Sequence, residues 1–249
     1  MVQSSLVAST PVAARSSGLH VAIIMDGNER WADQRKRPRA LGYRAGANAV
    51  KKVVRAAPAC GIGTLTLFAV SAQSFDAPAP DTYELLKLVR DYLLEEVDEL
   101  AAKGVRIEVL GRRDRLDDAV LETLEFAERL TAGGTKLHLR LAIDYSAREA
   151  IVGAARRFHV TQGIGGSREG FASLLASARG AGRAADVDLL IRCGGEQRLS
   201  DFLLWECAHA EIVFTKRLWP DFDSVALRRA LIAHRSRERR YALLRGKAS

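Results

Sequence analysis

Short apolar runs punctuate the chain at 20–25, 64–70, 105–110, 137–144, 187–192 and 211–215. Each has the length of a strand, and the run at 20–25 has the composition of one buried on both faces. Between them, over 41–59, 81–103, 114–130, 147–159, 168–179 and 223–240, apolar positions recur three and four apart, the spacing of a helix with one buried face. Strand–helix alternation of this kind predicts an α/β fold, a mainly parallel central sheet of about six strands flanked by helices. The Gly-rich stretch at 163–166 reads as a loop.

One predicted helix differs from the rest. Pro78 and Pro80 precede Asp81, a candidate cap with Glu84 at the capping-box spacing. Leu85, Leu86, Leu88, Val89, Tyr92, Leu93, Val97 and Leu100 then recur at helical intervals. Such a face packs into a core or walls a tunnel for a hydrocarbon, and periodicity does not separate the two. Phe68, Ala69 and Tyr92 bear on the size of any tunnel, but their directions are open.

A chain of 249 residues suffices for a single domain with a large core. We expect that domain over 20–241, with a flexible N-terminal tail at 1–19 and a C-terminal tail at 242–249. No apolar run approaches the roughly 20 residues needed to span a bilayer. Cys60, Cys193 and Cys207 lack metal-site spacing, and their odd number argues against a disulfide framework. A reducing, cytoplasmic setting follows. Cys193 reads as a small buried filler, with a reactive thiol as the sharper alternative.

Charge changes the picture more than composition does. The net charge is +8, yet 29–55 alone holds nine Lys/Arg against two acids, and 224–249 holds eight against one. The rest of the chain is therefore net acidic. Two basic islands on an acidic body suggest local anion sites or peripheral contact with an anionic membrane surface. Neither island carries a nucleic-acid-binding motif, so nucleic acid is not an expected partner.

The chemistry concentrates where strands end. Val21 to Met25 is apolar and stops abruptly at Asp26-Gly27-Asn28, with Arg30 and Trp31 following. A carboxylate there suits a hard cation such as Mg²⁺, and a strand-to-helix turn offers backbone N–H groups to a phosphate. An ordinary strand–turn–helix junction has the same look. A second apolar run delivers Arg192 to its end, followed by Gly194-Gly195, Arg198 and Ser200, and Glu211 opens the next run. Guanidiniums, a hydroxyl and glycines together suit a diphosphate.

At this point a resemblance is specific. Residues 20–32 match the opening motif of the undecaprenyl diphosphate synthase family of cis-prenyltransferases, His-Val-Ala-Ile-Ile-Met-Asp-Gly-Asn-Gly-Arg-Trp-Ala, at every position but 29. Arg-x-Gly-Gly-Glu-x-Arg-x-Ser-x-Phe-Leu-Leu-Trp at 192–205, Ala-Glu at 210–211 and Leu-Trp-Pro-Asp-Phe at 218–222 follow in order. The resemblance runs over about 18–241. It implies a hydrophobic tunnel, a homodimer, and Mg²⁺-dependent condensation of isopentenyl diphosphate with an allylic prenyl diphosphate. By position, Asp26 would work with Mg²⁺, while Gly27, Asn28, Arg30 and Arg39 would bind the allylic diphosphate. Trp31, Tyr43, Ser71 and Phe75 fall at further substrate-binding positions, and Ser74 falls at a catalytic one. Arg192, Arg198 and Ser200 would hold isopentenyl diphosphate. Glu211 would help coordinate Mg²⁺ from the partner subunit.

The departures cluster near this chemistry. Glu29 stands where the family has Gly, and Tyr43 where it has His. The loop Ser-x-Glu-Asn-Trp-x-Arg-Pro reads Ser71-Ala72-Gln73-Ser74-Phe75-Asp76-Ala77-Pro78, and Asn-Tyr-Gly-Gly reads Asp144-Tyr145-Ser146-Ala147. A carboxylate at 29 should weaken phosphate binding unless it is turned away or paired with a base. Three readings are open: a specialised transferase, a partner subunit that has lost catalysis, and, more remotely, a polyanion-binding module. Retention of both diphosphate sites favours the first.

Overall fold

The computed structural model describes residues 18–76, 80–162, 166–177 and 186–245. Residues 1–17 of the expected N-terminal tail, most of the 163–166 loop, the loop positions Ala77 and Pro78, and residues 246–249 of the expected C-terminal tail lie outside these.

Six parallel strands form one sheet in the order β3-β4-β2-β1-β5-β6. They are β1 (Leu19–Ile24), β2 (Ile62–Phe68), β3 (Val105–Leu110), β4 (Leu137–Ala142), β5 (Leu189–Arg192) and β6 (Glu211–Phe214). All six apolar runs are therefore strands. Two end two residues early for local reasons. β2 stops at Phe68 because Ala69 and Val70 both donate to the Ala142 carbonyl, a doubled bond that turns the chain out of the ladder. β4 stops at Ala142, and Asp144 beyond it adopts a φ of +49°.

The helices are α1 (Asn28–Gln34), α2 (Arg39–Ala56), α3 (Gln73–Asp76), α4 (Pro80–Ala102), α5 (Asp118–Leu130), α6 (Ala147–Gln162), α7 (Arg168–Ser177) and α8 (Ser224–Arg245). α1 and α3 are short, and hydrophobic periodicity did not announce them. α4 begins at Pro80, one residue before the expected cap Asp81. Proline suits a first helical position, where an N–H would have no partner.

Two cores lie on opposite faces of the sheet. The larger gathers Ile23, Leu65, Leu67, Leu93, Val97 and Leu139 with α2, α4, α5 and α8. Each such buried aliphatic side chain contributes about 1.5–3 kcal/mol. The smaller holds Ala22, Ile24, Leu190, Tyr145 and Phe202. Phe68 belongs to the smaller core, its ring stacked on Phe202 at 4.6 Å. Buried on that face too, Arg140 donates to Glu108 at 2.9 Å and His20 bonds Thr66 at 2.8 Å.

From β1 the chain crosses to β2 on one side, while β5 pairs with β1 on the other. The carboxyl ends of β1 and β5 thus border a reversal in strand order, the crevice where open α/β sheets bind ligands.

Candidate active site

Ile24 of β1 sits opposite Arg192 of β5 in register, so the segments after them emerge side by side. Asp26 is reached two residues later and is clasped from both sides. Arg30 donates to its Oδ1 at 2.9 Å, and Arg192 donates to its Oδ2 at 3.0 Å. Arg30 also donates to the Gly194 carbonyl at 2.6 Å, which joins the two strand ends. Gly27 holds a φ of +110°, and a Cβ there would stand 2.8 Å from Leu218. Trp219 donates its backbone N–H to the Asp26 carbonyl at 3.0 Å and its indole to the Gly46 carbonyl at 2.9 Å. The Leu-Trp-Pro-Asp-Phe segment is thus the buttress of the Asp26 turn.

Arg192 is the hub. Its side chain is 4% exposed, and besides Asp26 it reaches the Ser200 hydroxyl, the Arg198 carbonyl at 2.7 Å and Glu196 at 2.9 Å. Glu196 holds Arg198 at 2.6 Å. Ser200, Asp201 and Leu203 all carry positive φ, a backbone conformation that costs energy and persists where its surroundings impose it. Asp201 supplies that constraint: its carboxylate accepts from the Ser146 hydroxyl and from the Arg148 N–H at the start of α6. Glu196 stands in the motif at 192–205 without a role of its own there, and its place beside Gly194-Gly195 is the signal for one.

The two substituted positions in the first half of the site meet each other. The Tyr43 hydroxyl donates to Glu29 Oε1 at 2.8 Å, and Arg39 pairs with Glu29 Oε2 at 2.9 Å. The carboxylate at 29 is thus paired with a base, as tolerance of it required. Asn28 lies where α1 touches α2, against Gly42 and Gly46. Its buried Oδ1 has no hydrogen-bond partner. Trp31 is held by Asp221 at 2.7 Å with Arg35 stacked 4.3 Å over its ring.

An apolar cavity of about 70 Å³ opens beside Asn28 and Tyr43. Leu67 and Ala69 of the sheet side and Leu85, Leu88 and Tyr92 of α4 wall it. The long helix therefore does both things its pattern allowed: it packs into the core and lines a cavity. Tyr92 is buried there, and its hydroxyl has no hydrogen-bond partner. Phe68 points the other way.

The altered 71–78 loop is ordered by different contacts. The Ser71 and Ser74 hydroxyls bond each other at 3.0 Å. Arg115 lies 5.1 Å over the Phe75 ring and pairs with Asp76 at 2.8 Å and with the fully buried Asp144 carboxylate. Sequence reasoning missed Arg115, because no motif surrounds it and its partners are 29 and 39 positions away.

Glu211 stands apart from this cluster. It pairs with Leu189, whereas Arg192 pairs with Phe214, so about 10 Å of strand separates it from the site. Burial alone would raise its pKa, but hydrogen bonds from Arg237 and His234 hold the carboxyl below its ordinary value. Among the described residues no group of three His, Cys, Asp or Glu side chains is placed to hold a metal. Asp26 is the one carboxylate from the expected metal ligands at the crevice. Cys193 is fully buried, and burial, then the charge of Asp26, push its thiol up to about 12, so it is the inert filler. Among the described residues no helix is long and apolar enough to cross a membrane.

Comparison with known proteins agrees with this geometry. Residues 24–242 match the family model described as "Putative undecaprenyl diphosphate synthase". The chain is 48% identical to isoprenyl transferase 1 of Bradyrhizobium diazoefficiens over 92% of both chains. It is 40% identical to the ditrans,polycis-undecaprenyl-diphosphate synthase ((2E,6E)-farnesyl-diphosphate specific) of Xanthomonas axonopodis pv. citri, over 94% of this chain and 91% of that one. The crystal structure of lavandulyl diphosphate synthase from Lavandula x intermedia, in complex with dimethylallyl diphosphate, superposes with a TM-score of 0.81. That match has 33% identity and covers 88% of this chain and 96% of that one. With motifs, sheet and crevice in agreement, the chain belongs to the undecaprenyl diphosphate synthase family and is a cis-prenyltransferase.

Proposed function

We propose that this enzyme condenses isopentenyl diphosphate with an allylic prenyl diphosphate in a Z-type elongation and releases diphosphate. The observation that carries the reading is the pair of cationic groups meeting at Asp26, one from each strand end, beside an apolar cavity. Two diphosphates need two sets of donors, and a prenyl tail needs the cavity.

In this reading Arg30 and Arg39, with the Gly27 turn and Asn28, bind the allylic diphosphate, and its tail enters between α2 and α4. Arg192, Arg198 and Ser200 hold isopentenyl diphosphate. An arriving diphosphate competes with Asp26 for Arg30 and Arg192, which leaves the carboxylate available to Mg²⁺. A hard cation of this kind is commonly held by one or two carboxylates together with substrate phosphates, so a single Asp fits it. When bound, Mg²⁺ would offset charge developing on the departing diphosphate. The guanidiniums do the same from fixed positions, and the shared strand ends hold the reactants for attack. Ser71, Ser74 and Phe75 close over the reactants, braced by Arg115. Trp31 braces the far side of α1.

Glu211 lies on edge strand β6, where Ile212 and Phe214 are 40% and 39% exposed. An exposed apolar edge supports a homodimer in which Glu211 reaches the partner's site. The basic islands support peripheral contact with an anionic membrane.

The test is incubation with Mg²⁺, labelled isopentenyl diphosphate and geranyl or farnesyl diphosphate, with products resolved by length and double-bond geometry. A Z-configured product is expected, together with loss of at least about a thousandfold in kcat for Asp26→Ala. Retained turnover in that variant overturns the role of Asp26. A folded wild-type chain that binds both diphosphates without product overturns the reaction.

A further inference from the structure

Glu29 is a negative side chain three residues beyond Asp26, in the first turn of α1 and beside Arg39 of the proposed allylic site. Asp26, Glu29 and a diphosphate would repel one another if the carboxylate were loose. The packing of α1 on α2 prevents that. A Cβ at Gly42 would lie 2.2 Å from the Asn28 carbonyl, and one at Gly46 would lie 2.4 Å from Asn28 Oδ1, so the helices touch at the level of residue 28. Arg39 and Tyr43 stand one turn apart on the same face of α2 and both reach Glu29. The three differ in burial. Tyr43 is 8% exposed, whereas the Glu29 and Arg39 side chains are 43% and 52% exposed. The phenol is the buried member and the ion pair the exposed one.

We propose that Tyr43 is a positioning residue that acts through Glu29 on Arg39, and thereby sets affinity for the allylic diphosphate. The buried hydroxyl fixes one carboxylate oxygen of Glu29, and the other oxygen aims the Arg39 guanidinium. A guanidinium carries five N–H donors, so Arg39 can keep Glu29 and still offer a donor to a phosphate. Without the hydroxyl, Glu29 swings toward the substrate and takes Arg39 with it. Glu29 and Tyr43 thus form one unit, which accounts for a carboxylate beside a diphosphate site. The inference rests on the allylic assignment of Arg39 above.

The experiment is a four-variant cycle of wild type, Tyr43→Phe, Glu29→Gly and the double variant. Calorimetry gives the Kd for geranyl diphosphate with Mg²⁺, and steady-state kinetics give kcat and KM for each substrate. Tyr43→Phe should raise the geranyl diphosphate Kd and KM about tenfold, and leave kcat and the isopentenyl diphosphate KM within about twofold. With Gly at 29 the same change should have less than about a twofold effect. A packing role for Tyr43 predicts equal effects in both backgrounds, and that result, or an unchanged Kd, overturns the proposal. Wild-type chain that binds geranyl diphosphate but forms no product overturns the reaction proposed above and leaves this relay standing.

Discussion

Gly194 holds a φ of +86°, and a Cβ there would meet Arg30 Nη2 at 2.5 Å and the Asp26 carbonyl at 3.1 Å. Gly195, with a φ of +84°, has its nearest neighbour 3.7 Å away. The two make a matched pair: alanine strains the backbone equally at both sites but crowds Arg30 at only one. Each variant should lose about 1–2 kcal/mol of stability, a fall of about 2–8 °C in Tm. Gly194→Ala alone should cost about a hundredfold in kcat/KM. Equal activity losses in the two variants would remove the crowding of Arg30 as the cause. At this scale the gathering of Asp26, Arg30, Arg192, Arg198 and Ser200 at two adjoining strand ends was legible, because each follows closely on an apolar run. The pairing of Glu29 with Tyr43 was not. It depends on how closely α1 lies on α2, a distance fixed by the absence of side chains at Gly42 and Gly46.

The elements were legible where one periodicity ran long enough. All six strands and the six longer helices follow their apolar pattern, while α1 and α3 are too short to show one. The strands' inner and outer faces were less readable, since a run buried on both sides does not say which residue meets which core. Phe68 and Ala69 are adjacent in sequence, yet one stacks on Phe202 and the other borders the cavity. Tyr92 is the bulky side chain that α4 contributes to the cavity. Tyr92→Ala should therefore lengthen the product by at least one isoprene unit, read by reversed-phase chromatography of the dephosphorylated alcohols. The removed hydroxyl had no hydrogen-bond partner, so no polar group loses one, though the cavity left behind would cost about 3–5 kcal/mol. An unchanged product distribution would place the length limit elsewhere.

For the whole molecule, parallel order puts the reactive ends of β1 and β5 together and sends Glu211 to the opposite end of β6. The separation of Glu211 from Arg192 is set by this register, which the sequence alone does not state. If Glu211 serves the partner's site, Asp26→Ala and Glu211→Gln damage different halves of a shared centre. Mixing the two inactive variants and allowing subunits to exchange should restore activity toward about a quarter of wild type, the statistical share of intact sites in mixed dimers. Continued inactivity of the mixture, with exchange verified, would exclude the shared arrangement.

Arg192 spans both halves of the crevice with a single guanidinium, gripping Asp26 on one side and the Ser200–Arg198 loop on the other. A ligand that draws it toward either side alters what is offered to the second ligand. If the two diphosphates bind as proposed, thermodynamic reciprocity requires each to change the other's affinity by the same factor. The order in which they bind would then carry the mark of this one side chain. An inhibitor shaped for either half would be felt in both.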